Sequence, residues 1–142
     1  MFRLARRAVA LGPRGWMDLA LLALLGLLAE FGVRRRPLPR VARWFGLRLT
    51  GIPAPGTGWC LTPRQHDRRR VVRMLVRHWP LADRSGLCLR EALLTGWILR
   101  ERDPMLRVGV ARVGGSVTAH AWVEFDGAAL GADGSHTPLS FE

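Results

Sequence analysis

The chain has 142 residues with a formal net charge of +11, enough to bury a real core as one domain. Hydrophobic residues make up 49% of it, which excludes a disordered tail and a polytopic membrane protein. Two cysteines, Cys60 and Cys88, exclude a disulfide framework in a chain of this size.

The charge is unevenly placed. Residues 1–77 carry 16 Arg against Asp18, Glu30 and Asp67, a balance of +13, while residues 78–142 carry 6 Arg against 8 acids, a balance of −2. A basic first half suits an anionic partner: nucleic acid, a membrane surface or an acidic peptide. It equally suits a solvated Arg-rich surface, and the aromatic–basic interleaving of a nucleic-acid motif is missing.

Residues 1–15 are basic and interrupted by Gly12-Pro13. The run LALLALLGLLA at 19–29 is apolar all round and falls short of the roughly 18–20 residues that span a bilayer. Glu30, Phe31 and Arg34–Arg36 stand where a secretory cleavage site would need small residues, so a buried helix is expected. A peripheral membrane contact is the alternative, since both flanks are basic and Trp16 and Phe31 sit at the ends. Pro37 and Pro39 should stop this helix. A short apolar segment at 40–49 follows, then the Gly/Pro linker TGIPAPGTG at 50–58.

Thr62-Pro63 has the form of an N-cap followed by proline at the first helical position. The helix after it places Val71, Val72, Leu75, Val76 and Trp79 on one face and Arg on the other. Beyond Pro80 and a loop, a second helix is expected from about Leu87 to Arg102. The period then changes to two. LRVGVARV at 106–113 turns at Gly114-Gly115, SVTAHAWVEF at 116–125 turns at Asp126-Gly127, and AALGAD at 128–133 returns. Asp-Gly is among the strongest hairpin signals because a type I′ turn needs positive φ at both central residues. The second half therefore reads as two helices and a three-stranded antiparallel meander, an α+β fold with helices on one side of a sheet.

Cys88 falls in the first turn of its helix, where unpaired N–H groups and the helix dipole favour the nucleophilic thiolate. A base is needed, and His120 is on a strand able to pack beside that helix. It shares the more polar strand face with Thr118, Trp122 and Glu124. If Asp126-Gly127 is a two-residue turn, His120 pairs with Asp133, which would orient the imidazole; a three-residue loop would bring Ala132 there instead. Glu124 is four residues along the same strand, about 13 Å away, too far to serve. The bland readings stand beside this one: a helix-start Cys is often a small buried hydrophobe, and a lone strand His is often structural. Cys60 is read as structural, and His66, His78 and His136 as surface residues. No metal or cofactor is expected: Cys60, His66, His78 and Cys88 match no common zinc spacing, and no Gly-rich phosphate loop is present.

The segments SGLCLREALLTGWILRERDP, LRVGVARVGG and AHAWVEFDGAALGAD, with the closing TPL at 137–139, resemble the lasso-peptide biosynthesis B protein, a transglutaminase-like leader peptidase. The likeness covers about residues 62–139. It implies a transglutaminase-like or papain-like core at 62–142, carrying Cys on a helix packed on the meander, behind a helical extension at 1–61. It also implies a cysteine-peptidase triad: Cys88 as nucleophile, His120 as base 32 residues later, and an Asp twelve residues after the histidine. That position is Ala132, with Asp133 next to it. Residues 1–61 lack the strand pattern of the leader-recognition module fused in some members. The resemblance thus implies a cytoplasmic split system: the precursor peptide, a separate leader-recognition protein and an ATP-dependent cyclase. Two other classes remain open, acyl transfer to an amine by the same site and a non-enzymatic basic adaptor on membrane or nucleic acid.

Overall fold

A computed structural model describes residues 12–49, 60–79, 86–131 and 137–138. Helix α1 runs Pro13–Arg35, α2 Leu38–Trp44, α3 Pro63–Arg77 and α4 Leu87–Leu99, the last continuing as a 3₁₀ turn over Arg100–Arg102. Strands β1 (Met105–Val113), β2 (Ser116–Phe125), β3 (Ala128–Leu130) and β4 (Thr137–Pro138) form one antiparallel sheet in the order β3-β2-β1-β4. The α+β layout expected from the change of period is the one observed.

The first helix is longer than its apolar run. It starts at Pro13, because a proline at the first helical position gives up only an N–H that no helix would use. It ends at Arg35, and Pro37 then caps α2, its backbone extended. Helix α3 opens on a complete capping box: Thr62 Oγ1 accepts from Gln65 N at 3.2 Å, and Gln65 Oε1 accepts from Thr62 N at 3.0 Å.

Helix α4 is the central element, packed by α1, α3, β1 and β2. Its buried positions, Ala92, Leu93, Leu94, Thr95, Gly96, Ile98 and Leu99, run around most of its circumference rather than along one stripe. They share a core with Leu22 and Ala29 of α1, Val41 and Ala42 of α2, Val72 and Val76 of α3, and Leu106, Ala121, Val123 and Phe125 of the sheet. Burial of this apolar surface is the main stabilising term. The expected boundary at residues 61–62 thus falls between α2 and α3, whose side chains meet in the same core.

Polar ties join the helices. Arg68 Nη2 and Nε donate to Asp18 Oδ1 at 2.7 and 2.9 Å, linking α3 to α1. Arg90 of α4 grips Glu30 of α1 with two hydrogen bonds, Nε to Oε2 at 2.5 Å and Nη2 to Oε1 at 3.0 Å. Gly26 lets α3 come close: a Cβ there would lie 3.0 Å from the Trp79 ring.

In the sheet, β1 and β2 pair from Met105↔Glu124 to Val113↔Ser116. Asp126 and Gly127 have φ of 47° and 74°, the two positive values of a type I′ turn, and β2 pairs with β3 through Phe125↔Ala128, Glu124↔Ala129 and Val123↔Leu130. Strand β4, which pairs Gly109↔Pro138 and Val110↔Thr137, is an addition to the expected meander. Strand β3 ends at Leu130, shorter than the run expected to 133, and Gly131 follows at φ 90°, outside β-strand space.

Candidate active site

Cys88 is the second residue of α4 and is partly buried against the core. The Gly86 cap offers no side-chain hydrogen bond, so the first-turn N–H groups carry the partial positive charge of the helix end. The other end of α4 is fixed beside the second hairpin. Arg102 reaches Asp126 at 3.4 Å, and its guanidinium lies 5.8 Å from the centre of the Phe125 ring. Cys88 is about 18 Å of helix before Arg100 at 1.5 Å per residue. That length equals about five residues of strand, which leads from Phe125 back to His120. Helix α4 packs against β2, and measured back from the Asp126 end the two candidates are displaced by similar lengths, about 18 Å of helix and about 17 Å of strand.

Side-chain alternation separates them across the thickness of that sheet. Ala121, Val123 and Phe125 enter the core under α4, whereas His120, Trp122 and Glu124 point to the other face. His120 is only half-buried, and the residue before it, Ala119, is exposed. The helical cover of the sheet therefore ends at this level. Among the described residues no hydrogen bond joins Cys88 to His120.

The imidazole is held from the β3 side. Its Nε2 lies 2.6 Å from Gly131 O, and its ring stacks on Trp122 at a centroid distance of 6.1 Å and an interplanar angle of 21°. A carbonyl only accepts, so Nε2–H donates to Gly131 O. Trp122 is itself fixed: its Nε1 donates to Glu124 Oε1 at 3.1 Å, and Arg107 Nε donates to Glu124 Oε2 at 2.8 Å. Glu124 thus supports the ring that His120 stacks on.

The two-residue turn that would direct Asp133 to His120 is present, and its register runs unbroken to Val123↔Leu130. Asp133 and Ala132 lie outside the described residues, as does His136. Cys60 is exposed rather than packed, and His66 and His78 are exposed as expected. Among the described residues no group of three potential metal ligands comes together.

Sequence reasoning missed two supports of the site. One is the Gly131 carbonyl, a backbone atom with no side-chain signal. The other is Arg90, two residues after Cys88, whose guanidinium is clamped by Glu30. The hydrogen bonds from Arg90, and then the charges of Arg90 and Arg34, outweigh burial and hold the Glu30 carboxyl below its ordinary value. The available signal was composition: Glu30 is the one acid in α1's apolar stretch and Arg90 the one Arg in α4.

A family profile described as the transglutaminase-like superfamily matches residues 31–142. The chain belongs to that superfamily. No curated protein and no solved structure matches it. The transglutaminase-like superfamily includes cysteine peptidases and acyltransferases, and its members are mostly cysteine-dependent enzymes. The matched stretch begins within α1, one residue after Glu30, and takes in Cys88, Arg90 and His120 together.

Proposed function

We propose that this chain is a cysteine peptidase that removes the leader from a lasso-type precursor peptide. Cys88 attacks the carbonyl carbon at the leader–core junction, and His120 takes the thiol proton. The proton then passes to the leaving amine as the C–N bond breaks, leaving a thioester on Cys88. Water, deprotonated by His120, hydrolyses that thioester and frees the enzyme. Asp133 is assigned to orient His120. The Cys88 backbone N–H contributes to the oxyanion hole.

The observation that supports this reading is the superfamily match, which takes in Cys88 in the first turn of α4 and His120 on β2, the strand that α4 packs against. Closing the Cys88–His120 gap requires the imidazole to turn at the rim where the helical cover stops, a movement that substrate binding would drive. The basic first half suits a peptide partner, and a separate recognition protein would present the leader. The cyclase would then act on the freed amine.

The test is cleavage of the precursor, with the recognition protein added, by Cys88→Ala, His120→Ala and Asp133→Asn. Loss of cleavage in the first two is expected, together with a slower reaction in the third. Full activity of Cys88→Ala would sink the peptidase reading, and an unaffected Asp133→Asn only the acid assignment. Superfamily membership also supports a second reading, transfer of the acyl group from Cys88 to an amine instead of water. Mass analysis of products formed with added amines separates the two.

A further inference from the structure

Helix α1 has a second apolar face that the core does not use. Leu22, Gly26, Ala29 and Glu30 point inward. On the other side, from Trp16 at 48% exposure to Phe31 at 54%, every exposed side chain is apolar, with Met17 at 72% and Leu24 at 65% the most open. At 3.6 residues per turn these positions fall within an arc of about 140° and a length of about 22 Å. A contiguous apolar stripe of this size on a protein surface marks an interaction site.

Its rim is basic. Arg14 stands at one end, and exposed Arg35, Arg36, Arg40 and Arg43 stand at the other, where Trp44 of α2 is also exposed at 41%. The acids of α1 add nothing to that rim, because Asp18 is bound to Arg68 and Glu30 to Arg90. An apolar stripe between clusters of Arg, with tryptophan and phenylalanine at its ends, complements an anionic lipid surface: acyl chains meet the stripe and headgroups meet the guanidiniums.

We infer that α1 lies in the plane of an anionic membrane surface, its exposed face at the headgroup–acyl boundary, and anchors the domain there. The helix is 23 residues long and contains an 18-residue window of mean hydropathy 1.8, the length and composition of a spanning segment. Spanning is opposed by its other face. Glu30 is 3% exposed and clamped by Arg90, and Leu22 and Ala29 are fully buried in the core. To span, α1 would have to leave that core and carry Glu30 into hydrocarbon, at a steep cost. Lying flat uses both faces at once.

Co-sedimentation of the full chain with vesicles of phosphatidylcholine, with and without phosphatidylglycerol, tests this. Binding to the anionic vesicles is expected, at least tenfold weaker on the neutral ones and reversed by salt. Met17→Gln/Leu24→Gln should weaken partitioning at least tenfold through lost apolar contact. Each of Arg36→Gln, Arg40→Gln and Arg43→Gln should cost about fivefold on anionic vesicles only. These positions are exposed, and unchanged melting curves establish that the variants fold. Absence of lipid binding overturns the inference, as does binding indifferent to Met17→Gln/Leu24→Gln. Salt-resistant, detergent-requiring association would mean a spanning helix. A lipid-free dimer dispersed by the same double variant would mean that a second copy covers the stripe.

Discussion

Glu30→Ala should be among the most damaging single changes outside the nucleophile and base. The Glu30 and Arg90 side chains are 4% and 9% exposed, and two hydrogen bonds of 2.5 and 3.0 Å join them across α1 and α4. Removing the carboxylate leaves a guanidinium buried and unmatched, a loss of about 3–5 kcal/mol. At roughly 3 °C per kcal/mol for a chain of this size, the melting temperature should fall by about 10–15 °C. Arg34, which also reaches Glu30 at 2.7 Å but is 59% exposed, can turn to water and contributes little. Replacing both partners, as Glu30→Leu/Arg90→Met, removes both desolvation costs and should bring stability back to within about 2 kcal/mol of the parent. Because the Glu30 carboxyl titrates below its ordinary value, its ionised form stabilises the fold above the ordinary carboxylate range, and that contribution disappears as pH falls through the depressed value. The stability gap between the parent and Glu30→Gln should therefore be widest near neutral pH and close in acid. Urea unfolding of the parent, Glu30→Leu, Arg90→Met and the double variant, with Glu30→Ala and Glu30→Gln beside them and repeated across pH, measures all of this. Additive single losses, or a gap that does not change with pH, would refute the buried-pair argument.

Gly86→Ala should reproduce part of that loss, since its Cβ would lie 2.1 Å from Arg90 Nη1 while Glu30 prevents the guanidinium from moving away. A destabilisation of about 1–3 kcal/mol is expected, largely absent in an Arg90→Met background, as read by thermal melts. Gly96→Ala sets a Cβ 2.3–2.5 Å from three Leu47 side-chain atoms, and Leu47 is 1% exposed with no room to yield. It should cost about 1–3 kcal/mol in urea unfolding, less once Leu47→Ala opens the space. Thr62→Ala removes the Oγ1 acceptor of Gln65 N–H, one half of the capping box, and should cost about 1 kcal/mol by the same measurement.

What the sequence revealed follows the range of the interactions involved. The β1–β2 alternation and the Asp126-Gly127 turn were legible because strand period and type I′ geometry are set by neighbouring residues. The Thr62 cap was legible for the same reason. The length of α1 was misjudged because Gly12-Pro13 reads as a break in a list of residues, whereas a proline costs nothing in a first helical turn. Strand β4 has two residues and hence no period to detect. The Glu30–Arg90 pair spans 60 positions of sequence, and nothing local to either residue names the other. In the site, the chain order Cys88, His120, then a turn leading to an acid was visible. The faces they take relative to α4 were not, because they depend on which side of the sheet the helices cover.

The same asymmetry of α1 gives the nucleophile helix its place. A helix apolar on all sides would be wasted on a core that covers one side only, and Glu30 shows which side that is. Its carboxylate fixes Arg90, and Arg90 fixes the turn of α4 that begins with Gly86 and Cys88. The orientation of the Cys88 turn is thereby set by α1, and whatever α1 lies against has a defined relation to the thiol. Loosening the pair should then reduce turnover more than peptide binding, because the thiol would lose its alignment before the rest of the surface changed. A Glu30→Gln enzyme, with hydrogen-bonding capacity kept and charge removed, separates the two effects. A fall in kcat with KM unchanged supports the coupling of α1 to the Cys88 turn, and an equal loss in both parameters opposes it.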